Sequence, residues 1–569
     1  MKKSKYYLFI VFAITLAMLL AACGGGSDSD SGSEAEGGND NEEGAESGEA
    51  SGEQIFNMIE TAEIPTGDPT LATDAASFIV FGQTMEGLYT LDENDTPIPA
   101  IADGEPEVND DGDVYTFQLR EDAEWSNGDP VTAHDFVYSW QRAVDPDTAS
   151  EYAYMFSGVI ENGEETMNGD LDPEELGVEA VDDYTLEVRL EQPVEYLNSL
   201  LAFGTYMPLN EDFVEEHGDE FGTNSDAMLA NGPFELTEWD GSSTTWKYVR
   251  NDNYYDSDEV ALDEVNVQTS KESSTAVNLY ETGDADRTAA LSAEYARQYA
   301  NDENASTFEE GSSWYMKFNQ ERDGEDTPLA NENIRKAIAM AYDKESFTET
   351  VLANGSVPTD GYVPRGLANN PETDEDFREE SGDLIGTDLD MAQEYWEKGL
   401  EEIGEDSITL DFLGDDTENA KTTGEYFKNQ LETNLDGLTI ELSNVPFKVR
   451  LDRTTGQDYD IVMHGWGPDY LDPMTFLDLY VTDGTNNNTG YSSEEYDQLI
   501  EDAKVTYAND PEQRWETMLE AEKLLIEEDT VVAPVYQRGR ITLIDPSVKG
   551  LEEHLFGPDY TLKNVYIEN

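Results

Sequence analysis

Apolar and polar side chains alternate along VYTFQLR (Val114–Arg120) and YTLEVRL (Tyr184–Leu190), the period-2 pattern of strands with one buried face. WKYVR, LDEVNVQ and LTIELSNV add further strands rich in Val and Tyr. Longer patterns of helical period stand between them. Thr132–Val144 places Phe136, Trp140 and Val144 on one face, with Val137 beside them. Asn331–Phe347 carries a stripe of Ile334, Ile338 and Ala341, flanked by Ala337. Asp510 caps a helix that opens on Pro511 and runs to Glu528; its face of Trp515, Met518 and Leu525 is interrupted by Glu522. Strands and helices mix without a strict βα alternation or a repeat of fixed period. That mixture predicts an α/β protein with mixed sheets.

The first residues follow another pattern. Lys2, Lys3 and Lys5 precede an apolar run from Tyr6 to Leu20, and LAAC follows with the chain's one cysteine, Cys23. This reads as a secretory signal over 1–22 rather than a membrane-spanning helix. The LAAC–Gly ending resembles a bacterial lipoprotein signal, in which Cys23 becomes the lipidated first mature residue. Residues 23–54 then form the lipidation site and a Gly, Ser and acid-rich tract with no aromatic side chain, a disordered tether. The roughly 515 residues beyond it exceed one ordinary domain.

Charge narrows the range of partners. The chain has 127 acidic and 31 basic residues, a formal net charge of -96, and no Lys or Arg between Lys5 and Arg120. Nucleic acid is excluded as a partner on electrostatic grounds. An excess of this size suits a salt-rich medium that screens self-repulsion.

Catalytic and metal-binding patterns are missing from the sequence. The four histidines, at 134, 217, 464 and 554, form no HExxH, and no second cysteine exists for a zinc site. DENDTP (Asp92–Pro97) is acidic but is not a calcium loop. There is no GxSxG, no P-loop and no dinucleotide fingerprint. We expect no cofactor and no enzyme activity. What stands out is aromatic residues beside Gly, Asn and Asp in WSNGDP (Trp125–Pro130), NGPFEL (Asn231–Leu236), WYMKFN (Trp314–Asn319) and HGWGPDYLDP (His464–Pro473). Glycine admits close backbone approach, and aromatics offer broad rigid contact. Trp466, between Gly465 and Gly467 and three residues before Asp469, is read as part of a binding wall. Asp469 also has a plainer reading, as the cap of the YLDP turn.

The segments VTAHDFVYSWQRAVDPDTASEYAY (Val131–Tyr154), LGVEAVDDYTLEVRLEQPVEY (Leu176–Tyr196), NGPFEL, NIRKAIAMAYDK, GWGPDYLDPMTFLDLY and NNNTGYSSEEYDQLI (Asn486–Ile500) occur in this order. Together they resemble the oligopeptide-binding proteins of ABC importers, within the peptide/nickel-binding family of extracellular solute-binding proteins. The resemblance implies an α/β, two-lobed periplasmic-binding-protein-like fold (class II, cluster C type) with an extra inserted domain. Domain I would comprise 55–96, 232–325 and 532–569, domain II 97–231 and domain III 326–531, with hinges near 325 and 531. It implies an oligopeptide ligand held in extended form, ABC permease subunits as partners, a monomer, and a lipid anchor on the outer face of a Gram-positive type membrane.

Carried over by position, Asp469 would hold the ligand's α-amine, with Gly465, Trp466 and Gly467 lining the same segment. Glu86 and Gly87 of EGLY match a strand that lines the cleft; Tyr138, Tyr315 and Phe447 are further candidates. One departure is Met463, where enteric-type members carry an arginine for the peptide carboxylate. Alternatives on the same scaffold are dipeptides, nickel chelates or oligosaccharides. A surface-anchored hydrolase or a structural surface protein would be a different class, separated by product formation or by lack of any ligand.

Overall fold

The computed structural model describes residues 54–194 and 196–568. The signal-like segment, Cys23 and the tether up to residue 53 lie outside the described residues. Gln54, assigned above to the tether, belongs instead to the folded part. It is 5% exposed; its backbone N–H donates to Asp263, and its side chain exchanges hydrogen bonds with the backbone of Ile567.

Three sheets organise the chain. The first joins Ile55–Glu60 in parallel to Glu264–Thr269, which pairs antiparallel with Thr245–Arg250 and then Phe234–Thr237. The second is antiparallel, in the order Glu107–Val108, Val114–Gln118, Thr185–Arg189, Val178–Asp182. The third has six strands in the order Val357–Pro358, Val532–Leu543, Ala305–Phe318, Ile461–Trp466, Ile408–Asp415, Leu438–Val445. Parallel pairing among its last three strands and antiparallel pairing elsewhere make it the mixed sheet that the pattern predicted.

The second sheet falls within 97–231, and the first within 55–96 and 232–325. The third sheet takes strands from both sides of residues 325 and 531. Ser313–Phe318 is already paired with Ile461–Trp466, while Ala305–Glu309 pairs with Gly539–Leu543. Between these halves, three residues (310–312) face one, Arg538. The bulge is held by Arg540, which bonds Glu310, Glu553 and Asp559, and by Gln537, whose side-chain amide donates to the Glu310 carbonyl. Bulges bend and re-aim a strand. The bulge therefore bends this strand pair near 309–313 and 537–539.

The helices follow their stripes with two differences. Ala133–Val144 buries Phe136, Trp140 and Val144, and the Thr132 N–H donates to Asp135 at 2.7 Å, one arm of a capping box. The segment expected as one helix over 331–347 is two. Glu332–Met340 ends, and Lys344–Ser346 restarts under an Asp343 cap. Side chains from later in the chain take the intervening carbonyls: Asn434 that of Ala341, Thr387 that of Tyr342 and Tyr426 that of Asp343, each at 2.6–2.7 Å. Pro511–Lys523 opens on its Asp510 cap and continues in wider turns through Glu528.

Candidate functional site

A cavity of about 350 Å³ lies between the first and third sheets. Its walls come from Trp246 and Tyr248 on the first sheet and from Trp314, Met463–Trp466 and Tyr536 on the third. The bulge opens onto it through Glu310, Ser312 and Arg538, so the cavity and the bend share residues.

Asp469 lines this cavity at 4% exposure. The Tyr152 hydroxyl donates to its Oδ1 at 3.3 Å, and Oδ2 is buried with no hydrogen-bond partner among the described residues. Burial pushes its carboxyl well above the usual carboxylate range, against the opposing pull of the Tyr152, Tyr154 and Thr475 hydroxyls. The turn-capping role falls to Asp472, which accepts the Met474 N–H at 2.9 Å and pairs twice with Arg514. Asp469's own N–H donates to Thr475 Oγ1. The desolvation of such a carboxyl is relieved either by a proton or by a charged donor that reaches its open acceptor.

Trp466 stands beside it. Its indole lies parallel to the Tyr152 ring, with centroids 6.1 Å apart, and its Nε1–H is buried without a partner among the described residues. Gly467 lines the cavity, and a Cβ there would find its nearest neighbour, Ser312 Cβ, at 4.0 Å. Gly465 has a different reason to be glycine: a Cβ would lie 2.5 Å from the Trp314 indole. Phe447 contributes its ring to the same cavity.

The other candidates sit elsewhere. Tyr315 is 1% exposed behind His464, its ring parallel to the imidazole at 5.7 Å, and it borders a neighbouring pocket of about 30 Å³ with Lys317. Glu86 is buried away from the cavity lining, where the Tyr254 and Tyr255 hydroxyls donate to it at 2.6 and 2.7 Å. Gly87 packs against the Leu201 carbonyl, which a Cβ would approach to 2.7 Å. Tyr138 is half-buried, with Arg142 and Glu211 in its surroundings, and does not line the cavity.

His464 has no catalytic setting. Burial and the Arg450 and Lys317 charges hold it well below its ordinary value, so it is neutral. Its Nδ1 lies 2.8 Å from the Gly465 carbonyl, which assigns the proton to Nδ1. Among the described residues, no group of three or more His, Cys, Asp or Glu could hold a metal ion. Sequence reasoning missed Tyr152, Thr475 and Arg450. Tyr152 and Thr475 stand within quoted segments, but neither is marked by its neighbours.

Three comparisons bear on this arrangement. Residues 96–488 match the family model described as bacterial extracellular solute-binding proteins, family 5 Middle. The chain is 33% identical over 516 residues to a dipeptide-binding protein of Lactococcus lactis, covering 89% of this chain and 93% of that protein. It is 51% identical to Listeria monocytogenes OppA bound to peptide, with a TM-score of 0.88 over 91% of this chain and 100% of the other. Two structures of MppA, one of them from Escherichia coli, are each 26% identical and cover 91% of this chain. The murein tripeptide binding protein structure, covered to 99%, gives a TM-score of 0.81; the unliganded open form, covered to 98%, gives 0.59.

Proposed function

The chain belongs to the bacterial extracellular solute-binding proteins of family 5, and from that premise we propose that it captures peptides with a free amino terminus and delivers them to an ABC permease. The observation that carries the reading is Asp469, which lines the cavity beside Trp466 and Gly467 and whose buried Oδ2 has no partner among the described residues. The ligand's ammonium forms a charge-assisted hydrogen bond there. Its backbone lies along Trp466, whose free Nε1–H suits a peptide carbonyl. Contacts to main-chain groups tolerate varied side chains. No bond is made or broken; the protein is a binder, not an enzyme.

Domains I, II and III are proposed as divided above, with the bends moved to the bulge. The ligand touches both walls of the cavity in the closed form and so shifts the population toward it. The larger TM-score against one MppA structure than against its open form supports a closed arrangement here. The protein is extracellular and membrane-associated. In finer terms, we place it as a monomer lipid-anchored through Cys23 on the outer face of a Gram-positive type membrane, in a salt-rich medium, with permease subunits as its partner.

Calorimetry with matched free and N-acetylated peptides tests the amine clamp. The free forms should bind more tightly by about tenfold or more, and Asp469→Ala should remove the difference. Equal binding of both forms by the unaltered protein would sink the clamp. The dipeptide-binding relative makes two-residue probes a necessary arm of the same experiment.

A further inference from the structure

Among the cations lining the cavity, Arg450 is set apart by an open donor. It stands on the Phe447–Thr455 helix at 7% exposure. Its Nε donates to Asp415 Oδ1 at 3.1 Å, and its guanidinium lies 4.9 Å from the Phe447 ring centroid. Nη1 is buried with no hydrogen-bond partner among the described residues. The other two Lys and Arg side chains of the lining are differently placed. Lys271 is paired with Glu63 at 3.0 Å and Asp416 at 2.8 Å. Arg538 faces Glu310 at 3.4 Å and the Trp314 ring, and is about a third exposed.

A guanidinium stays charged at any physiological pH, so burial cannot be relieved by losing a proton. A buried donor left open is destabilising, and more so when it belongs to a charged group. The nearby acids do not close Nη1. Asp415 is engaged through Nε. Asp74 faces Arg450 from the Ala75–Thr84 helix but accepts from the Ser77 N–H and Oγ–H, each at 2.9 Å. Lys317, the neutral His464 and the Tyr315 phenol also feel the Arg450 charge and add no anion.

Two residues that line one cavity thus each carry a buried, unmet group, of opposite sign: Asp469 Oδ2 and Arg450 Nη1. We infer that Arg450 receives a carboxylate of the ligand, so that the site reads a molecule carrying both an ammonium and a carboxylate. This rests on the peptide reading above. The carboxylate comes from the peptide's C-terminus or from an Asp or Glu side chain, and both offer the planar pair of oxygens that a guanidinium fits.

The test uses calorimetry of the full chain with alanine-based peptides of about three to nine residues. Each is made with free ends, N-acetylated, C-amidated, or with one Ala replaced by Glu or Gln. At one length or one Glu position, loss of the carboxylate should weaken binding about tenfold to a hundredfold. Arg450→Gln should shrink that ratio to within about twofold, and Arg450→Lys should leave an intermediate ratio and guards against a folding defect in the first variant. Dependence on the terminus or on the side chain identifies the source. Retention of the full ratio in both variants, or no ratio at any length in the unaltered protein, would overturn the proposal. If the amine effect survives while the carboxylate effect is absent, Arg450 alone is misassigned; if acetylation has no effect either, the peptide clamp fails with it.

Discussion

Asp469 is set against the stability of the unliganded protein. Its carboxyl is buried, its Oδ2 is unmet, and its native affinity for a proton is raised by desolvation. The native state therefore binds this proton more tightly than the unfolded chain does. The contribution to stability is fully present below the ordinary carboxylate range and is lost as pH rises through the raised native value. Asp469→Asn should flatten that slope and stabilise the unliganded protein at neutral pH by about 1–3 kcal/mol, read from denaturant melts across pH. The same variant should lose its preference for free amines; a variant less stable than the parent at neutral pH would contradict the account. Asp469 was legible through its family segment. Tyr152 was not, because its hydroxyl reaches Asp469 across 317 residues of chain and nothing local marks it. Glu86 misled for the converse reason: a carboxylate in a matching segment is here occupied by the Tyr254 and Tyr255 hydroxyls.

Glu522 explains why the face of the Pro511–Lys523 helix is interrupted. It is fully buried and accepts the Tyr362 and Val363 N–H groups at 2.8 Å each, while Arg378 Nη1 donates at 2.6 Å. The helix thus organises a loop and a second helix through one carboxylate. Glu522→Ala leaves Arg378 buried and uncompensated, and should destabilise the fold by about 3–5 kcal/mol, seen as a lower denaturation midpoint. A change below about 1 kcal/mol would show that Arg378 finds another partner. The Leu438–Val445 strand and the Pro511 helix start were legible because alternation and capping are local signals. The break after Met340 was not. The stripe continues through Ala341, but Asn434 and Thr387 take the Ala341 and Tyr342 carbonyls that a continuous helix would need. Tertiary partners override a local period whenever they satisfy the same backbone groups.

For the whole molecule, the formal charge of -96 sets the conditions under which the fold is most stable. Self-repulsion among surface carboxylates is screened as the Debye length falls from about 10 Å at 0.1 M salt to about 3 Å at 1 M. The thermal midpoint should rise by several degrees over that range in KCl, and an unchanged or falling midpoint would refute a fold adapted to salt. Two strands of the first sheet, two of the second and one of the third were readable from their own residues. The position of the bend was hidden, because a bulge of three residues against one leaves no mark in hydrophobic alternation. Gln54 and Ile567 exchange side-chain and backbone hydrogen bonds, so the two ends of the described fold meet at one spot. The backbone is in effect a ring with a single small gap, and the order of its elements depends only on where that ring is cut. A cut placed elsewhere in that ring is therefore a change of topology, separable from the geometry of the cavity.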